Sequence, residues 1–263
     1  MTYLDRIIDE HRAAAADDVR STAALTEQAM AAPPVRGFES ALRGPGLSVI
    51  SEVKRRSPSK GDLFAGLDPA TLAGQYEAGG STCLSVLTDA DNFGGSPSDL
   101  QAARGAVSLP ALRKDFTVHE HDVLDARIMG ADCVLLIVAA LGRSELEHFA
   151  GVARTVGIDI LFETHDENEI ERACAAGVTL LGVNQRDLFT FEVDHERAVR
   201  VVAAFPEGVV GVCESGVRGA ADAAALAVAG YDAILVGESL VTSGDPQQAV
   251  AELIAAGNLA QDL

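Results

Sequence analysis

Charged and amide side chains recur at the downstream ends of short apolar runs in this chain. Glu52 and Lys54 close a run that begins at Ser48, Lys114 and Asp115 close one from Ala111, and Glu163 closes one from Asp159. Asn184 and Arg186 follow Leu180–Val183, Glu214 and Ser215 follow Val209–Cys213, and Gly237 and Glu238 follow Ala233–Val236. Lysines and glutamates brought together can give and take protons at a reacting carbonyl. Residues two apart on a strand share a face, so Glu52 and Lys54 point the same way, as do Asn184 and Arg186. A lysine beside a glutamate keeps its charge at low desolvation cost.

Two further segments suit a phosphate. Glu214-Ser215-Gly216, with Arg218 and Gly219 beyond it, and Val236-Gly237-Glu238-Ser239 are glycine-containing turns that allow backbone N–H groups to approach an anion closely. Ser57 and the Lys54-Arg55-Arg56 run could complete the cage. The uncharged run Val134–Val138, with Phe93 and Phe116 in nearby loops, could wall a flat ring through Leu135 and Ile137. Ordinary barrel packing accounts for those two aliphatic residues equally well. His119 and His121 lack further metal ligands nearby, His165 is expected to face solvent, and Asp115 is expected to orient its loop.

The elements that must position these residues alternate regularly. Strands are expected at Ser48–Val53, Cys83–Leu87, Ala111–Arg113, Cys133–Val138, Asp159–Phe162, Leu180–Val183, Val209–Cys213 and Ala233–Val236. Helices are expected near Pro69–Ala78, Ser98–Arg104, Glu120–Met129, Ser144–Val156, Glu167–Ala176, His195–Ala204, Gly219–Ala229 and Pro246–Ala255. Asp68-Pro69 and Asp245-Pro246 read as N-caps followed by proline at the first helical position. Eight strand–helix units in series fit an α/β fold, a (β/α)8 TIM barrel, in which all the polar strand ends ring one mouth. A doubly wound sheet would normally show G-x-G-x-x-G after its first strand, where this chain has Lys-Arg-Arg-Ser-Pro-Ser-Lys-Gly. Residues 1–46 form an N-terminal helical extension, broken near Asp17 and Asp18 and ended by Pro33 and Pro34, and residues 47–263 form the barrel.

The 263 residues fit one barrel domain, and a 48% hydrophobic share supplies its core. A net charge of −19 disfavours nucleic acid and anionic membrane as partners. Cys83, Cys133, Cys174 and Cys213 form no C-x-x-C pair and read as reduced, buried thiols of a cytoplasmic protein. No export signal or membrane span is visible. The chain is expected to act as a monomer on a small anionic sugar phosphate.

The segments Ile50-Ser51-Glu52-Val53-Lys54-Arg55-Arg56-Ser57-Pro58-Ser59, Phe93-Gly94-Gly95-Ser96, Leu112-Arg113-Lys114-Asp115-Phe116, Gly182-Val183-Asn184-Gln185-Arg186-Asp187-Leu188 and Glu214-Ser215-Gly216 occur in an order that resembles the indole-3-glycerol-phosphate synthases. That resemblance implies ring closure, decarboxylation and dehydration of 1-(2-carboxyphenylamino)-1-deoxyribulose 5-phosphate, without metal or organic cofactor. It implies Lys114 as general acid at the sugar carbonyl and Glu163 as the acid/base of the dehydration. Lys54 would hold the substrate carboxylate or take part in proton transfer, with Glu52, Asn184 and Glu214 orienting the lysines and the sugar hydroxyls. Ser57, Arg186, Ser215, Gly216 and Gly237 would surround the phosphate. Glu238 stands where some members carry serine, so only its backbone N–H is expected to serve. The N-terminal extension is similar to a helical region that packs over the barrel mouth. Another sugar-phosphate barrel, either an isomerase or a Schiff-base aldolase using Lys114, and a non-catalytic phosphate-binding barrel are the alternatives.

Overall fold

Apolar runs that pair with one another on both edges leave no sheet edge open, and here they close a ring. The computed structural model describes residues 2–57, 60–64, 66–187 and 192–261; Pro58, Ser59 and Leu188 of the motifs above lie outside them. The barrel strands are β1 (Ser48–Val53), β2 (Cys83–Leu87), β3 (Ala111–Lys114), β4 (Cys133–Ile137), β5 (Asp159–Thr164), β6 (Leu180–Asn184), β7 (Val210–Glu214) and β8 (Ala233–Val236). Each pairs in parallel with its sequence neighbours, and β1 closes the ring against β8.

The strands divide their side chains by period two. One set (among them Val49, Leu84, Val86, Val134, Leu136, Val183 and Ile234) packs outward against the helices. The other (Ile50, Cys83, Leu112, Cys133, Leu135, Leu161, Leu180, Val212 and Leu235) fills the barrel. Counting by two from the inward residues of the odd strands gives Glu52, Lys114, Glu163 and Glu214 as the last inward position of each. Barrel interiors are stacked in layers of four from alternate strands. The uppermost odd-strand layer is therefore three glutamates and one lysine.

Several boundaries differ from expectation at this level. Lys114, Glu163, Asn184 and Glu214 belong to the strands rather than to the loops after them, because their backbones still register with neighbours: Leu87 with Lys114, Ile137 with Glu163, and Asn184 with Glu214. β4 stops at Ile137, where Val138–Ala140 tightens into a 3-10 turn. The helix expected over His195–Ala204 is reduced to Arg197–Val201 and a 3-10 turn, with Pro206 just beyond. Cys83, Cys133 and Cys213 are buried, but Cys174 is exposed on its helix.

The N-terminal segment does more than cover the mouth. Helix α1 (Tyr3–Ala16) starts from a Thr2 capping box and lays Leu4, Ile7 and Ile8 inward. Helix α2 (Thr22–Ala31) descends along the flank, where Thr22 and Asp18 bond His121. Helix α3 (Phe38–Leu42), not anticipated from sequence, closes the opposite end, with Phe38 and Leu42 fully buried in the barrel interior. It is held at the strand starts: the Glu39 N–H donates to Asp159 at 2.9 Å, and the Arg36 N–H donates to the fully buried Asp132 at 2.7 Å. Asp132 also accepts from Arg104 at 2.8 Å and from the Ala111 N–H at 2.8 Å. Among the described residues no helix is long and apolar enough to cross a membrane.

Removing residues 1–20 should leave a folded barrel with an uncovered mouth. Removing 1–45 should destabilise it by at least about 3 kcal/mol, since Phe38 leaves a cavity in the floor. Denaturant unfolding of the two truncations distinguishes these outcomes.

The upper contact of α1 is titratable. His11 Nε2 lies 3.0 Å from Asp89, and its ring sits tilted against Phe116 with centroids 5.4 Å apart. Burial opposes the charged imidazole, but Asp89 and Asp115 hold its pKa above the ordinary 6.5, while the contact keeps Asp89 below its ordinary 3.8. The histidine's contribution is complete below 6.5 and disappears as pH rises through its raised value. The aspartate's contribution disappears only as pH falls through its lowered value. Amide exchange in α1, corrected for its intrinsic pH dependence, should be slowest in mildly acidic buffer and accelerate as pH rises through the raised His11 value. In His11→Gln it should show no such step.

Candidate active site

The charged upper layer opens into a cavity of about 520 Å³, lined by the site residues expected from the sequence with the exception of Arg55 and Arg56. Lys114 Nζ lies 3.0 Å from Glu163 and 3.7 Å from Glu214, with the two carboxylates only 1% and 2% exposed. Asn184 Nδ2 donates to the other Glu163 oxygen at 3.2 Å. Burial opposes the lysine's charge, yet Glu163, Glu214 and Glu52 together hold its pKa above the ordinary value. Burial also disfavours the Glu163 anion, but Lys114 and His165 keep it below the usual carboxylate range. Burial and the Glu163 charge push Glu214 well above that range. Two carboxyl groups thus flank one ammonium, and their surroundings drive their proton affinities in opposite directions, which is the arrangement that separates acid from base at a single site.

A second pair stands beside the first. Lys54 Nζ is 2.5 Å from Glu52 Oε1, and the Ser85 hydroxyl is 3.5 Å from the other Glu52 oxygen. Glycines make room for both carboxylates. A Cβ on Gly182 would come within 2.1 Å of Glu214, and one on Gly237 within 2.5 Å of Glu52. Gly182 was missed from sequence; its only signal was a glycine in mid-strand, a mark of close approach.

Backbone geometry shapes the other end. Ser215 (φ 63°) and Gly216 (φ 77°) are consecutive left-handed residues at the top of β7. A non-glycine residue in that region is costly and tends to mark a functional turn. Gln185 braces it by donating to the Ser215 carbonyl at 2.8 Å. Opposite, Gly237 precedes the short helix Glu238–Val241. The Ser57 hydroxyl is buried with no partner among the described residues, and Ser57, Arg186, Ser215, Gly216 and Gly237 all face the cavity. The Glu238 carboxylate is paired with Lys60 at 2.6 Å. Lys60 and His195, both cavity-lining, were not singled out from sequence.

The expected Lys-Arg-Arg cage needs correcting. Only Lys54 reaches the cavity. Arg55 bonds Asp99 at 2.8 Å and the Leu67 carbonyl at 2.6 Å, and Arg56 donates to the Ala90 and Asp91 carbonyls. Both guanidiniums are occupied in holding loops, a use for which arginine's rigid fork is suited. His165 is also corrected: its side chain is 11% exposed and bonds Glu169. Asp115 accepts from Thr88, Arg113 and the Phe116 N–H, and so orients its loop as expected. His11, Asp89 and Asp115 offer ligand atoms within 4.8 Å of one another. Asp89 caps the turn at Asn92 and Phe93 and pairs with His11, and Asp115 holds Thr88 and Arg113, so both carboxylates are already engaged. Phe93, Phe116 and Leu135 supply the apolar wall.

Buried acid–base pairs under a backbone cradle at the C-terminal mouth define a barrel enzyme for a small anionic substrate. The family model described as indole-3-glycerol phosphate synthase matches residues 4–253. The chain is 51% identical over 258 residues to the indole-3-glycerol phosphate synthase of Mycolicibacterium smegmatis, covering 97% of this chain and 95% of that one. It is also 51% identical over 259 residues to the enzyme of that name from Streptomyces griseus, covering 98% and 96%. The chain belongs to the indole-3-glycerol phosphate synthase family. A thiamine phosphate pyrophosphorylase from Pyrococcus furiosus shares the fold alone, with a TM-score of 0.63 at 16% identity over 81% of this chain and 96% of that one.

Glu163→Gln should destabilise the protein by about 3 kcal/mol, because it leaves Lys114 buried without its ionised partner. Glu214→Gln replaces a carboxyl whose charge burial and Glu163 already oppose, and should lower the unfolding midpoint less. Urea unfolding of both variants at neutral pH tests that ordering.

Proposed function

We propose that the barrel mouth closes the indole ring of 1-(2-carboxyphenylamino)-1-deoxyribulose 5-phosphate, releasing carbon dioxide and water. The observation that carries this reading is Lys114 held charged between Glu163 and Glu214 beside an apolar wall. The carbon bearing the substrate carboxylate is a poor nucleophile, so the sugar carbonyl must be activated and the ring held close to it. Lys114 donates its proton to the carbonyl oxygen as the carbon–carbon bond forms. Lys54, backed by Glu52, holds the ring carboxylate until the bond to carbon dioxide breaks and its electron pair restores the aromatic ring. Phe93, Phe116 and Leu135 press the ring against the sugar and exclude water.

Dehydration follows. The hydroxyl left at the old carbonyl carbon departs as water on protonation, and Glu163 takes a proton from the adjacent methylene. Asn184 keeps the Glu163 carboxylate aimed, and Glu214 contributes its carboxyl group to the sugar hydroxyls. The phosphate sits on the backbone N–H groups of Ser215, Gly216, Gly237 and Glu238, with the Ser57 hydroxyl and Arg186. The Glu238 side chain stays with Lys60, so its charge does not face the anion. A Schiff-base reading of Lys114 is disfavoured by the two carboxyl groups that keep it protonated, since the nucleophile would be the neutral amine.

Purified enzyme given this substrate should develop indole fluorescence. Lys114→Ala should lower kcat at least about 100-fold, and borohydride should trap no adduct on Lys114 in the wild type. A Lys114→Ala rate near wild type would overturn the assignment.

A further inference from the structure

His165 has no task in the reaction just described, and its setting is unusual. It follows Glu163 by two residues, just past the end of β5. Its Nδ1 lies 3.0 Å from Glu169 Oε2, and its backbone N–H donates to the same oxygen at 2.8 Å. The ring is thereby fixed with Nε2 toward Glu163, 3.9 Å from Oε1. That nitrogen is buried and has no hydrogen-bond partner among the described residues. Glu163 lines the main cavity, whereas His165 lines a second one of about 230 Å³, shared with Asp166, Glu169, Asp187, Arg197 and Arg200. The imidazole is the partition between a buried acid–base carboxylate and a separate polar chamber.

The proton balance of the reaction gives that partition a use. One proton goes to the carbonyl oxygen and a second to the departing hydroxyl; one returns from the methylene. The carboxylate leaves as neutral carbon dioxide, so each turnover takes up one proton from solvent. Glu163 is buried and Lys114 mostly so, and a substrate filling the cavity beneath Tyr3, Leu4 and Ile7 of α1 would cover both from the mouth.

We propose that His165 carries this proton from the side chamber to Glu163. The imidazolium, its Nδ1–H held by Glu169, gives its Nε2 proton to Glu163 Oε1 after a movement of about 1 Å, the difference between 3.9 Å and hydrogen-bonding distance. Rotation of the carboxyl group then brings this proton from Oε1 to the position that meets Lys114 at 3.0 Å, and its transfer restores the ammonium. The neutral ring then swings away from Glu169 to present its bare Nε2 to the side chamber, a space large enough to hold several water molecules, takes a proton there and returns. His165 acts through Glu163 and is a positioning and relay residue. The inference rests on the assignment of Glu163 as acid/base.

The test is steady-state turnover of the carboxyphenylamino-deoxyribulose phosphate in H2O and D2O by wild type, Glu163→Gln, His165→Gln, His165→Ala and Glu169→Gln, with folding checked by circular dichroism. His165→Gln should lose about tenfold or more in kcat with KM within about twofold, and its solvent isotope effect should exceed that of wild type. Free imidazole should restore kcat several-fold in His165→Ala and not in wild type. If His165→Ala does not fold, Glu169→Gln takes its place, with a several-fold lower kcat and the same enlarged isotope effect expected. Wild-type kcat and isotope effect in His165→Gln would overturn the relay. So would a fall in kcat that imidazole does not relieve and that leaves the isotope effect unchanged, which is the signature of a packing role. Wild-type turnover by Glu163→Gln would overturn the Glu163 assignment itself, and the relay with it.

Discussion

A lysine and two carboxyl groups are held inside an apolar barrel, and much of the remaining structure can be understood as the arrangement that makes this tolerable. Removing such groups from water costs several kcal/mol per ion unless geometry and hydrogen bonding compensate. Compensation here is local and specific. Lys114 meets Glu163 at 3.0 Å, Asn184 satisfies the far oxygen of Glu163, and Glu214, its pKa raised by burial and by Glu163, is accommodated in the space that Gly182 leaves open. The lower layers, with Ile50, Leu112, Leu161 and Val212 on the same strands, anchor the cluster in well-packed hydrocarbon. Rigidity follows from placement: these groups stand on strands still paired with neighbours, so they do not share the mobility of loops.

The N-terminal segment bears on the same constraint from two sides. Helix α1 places Tyr3, Leu4 and Ile7 over the cavity, reducing solvent access to the charges. Helix α3 places Phe38 and Leu42 beneath the lowest layer, so the barrel interior is closed at its base as well. One continuous stretch of chain therefore supplies both the lid and the floor. The cover is held by Leu4, Ile7 and Ile8 together with polar contacts such as His11–Asp89 and Arg12–Glu145, and the base by Phe38 and Leu42 with the hydrogen bonds to Asp132 and Asp159.

Much of this was legible in the sequence, for identifiable reasons. Alternation of β-branched runs with alanine-rich helices gave all eight strands, and the polar residues at their ends named the ring of side chains that meets in the cavity. Boundaries slipped by one or two residues where a charged residue ended a strand, because hydropathy alone reads Glu163 or Glu214 as loop. The α3 helix was illegible because five residues carry too little periodicity to register. Arg55 and Arg56 misled for a different reason. Adjacent residues on an extended chain point to opposite sides, and only the fold shows that Asp99 and the carbonyls after Asp89 receive them. His165 was assigned to solvent because a polar residue after a strand usually turns outward; the glutamate four residues later, which recruits it inward, lies on the next helix.

Strand parity has one more consequence. The acid–base groups Glu52, Lys114, Glu163 and Glu214 all stand on odd-numbered strands, whereas the apolar side chains Leu87, Leu135, Ile137 and Leu235 that face the same cavity stand on even-numbered ones. Charged groups and the apolar lining thus stand on interleaved strands, although Asn184 and Gly182 of the even β6 serve Glu163 and Glu214. Substitutions confined to Leu87, Leu135, Ile137 and Leu235 can reshape the cleft for a larger, smaller or differently substituted aromatic while the charged layer keeps its contacts. The architecture gives this lineage a route to new substrates that leaves its chemistry in place.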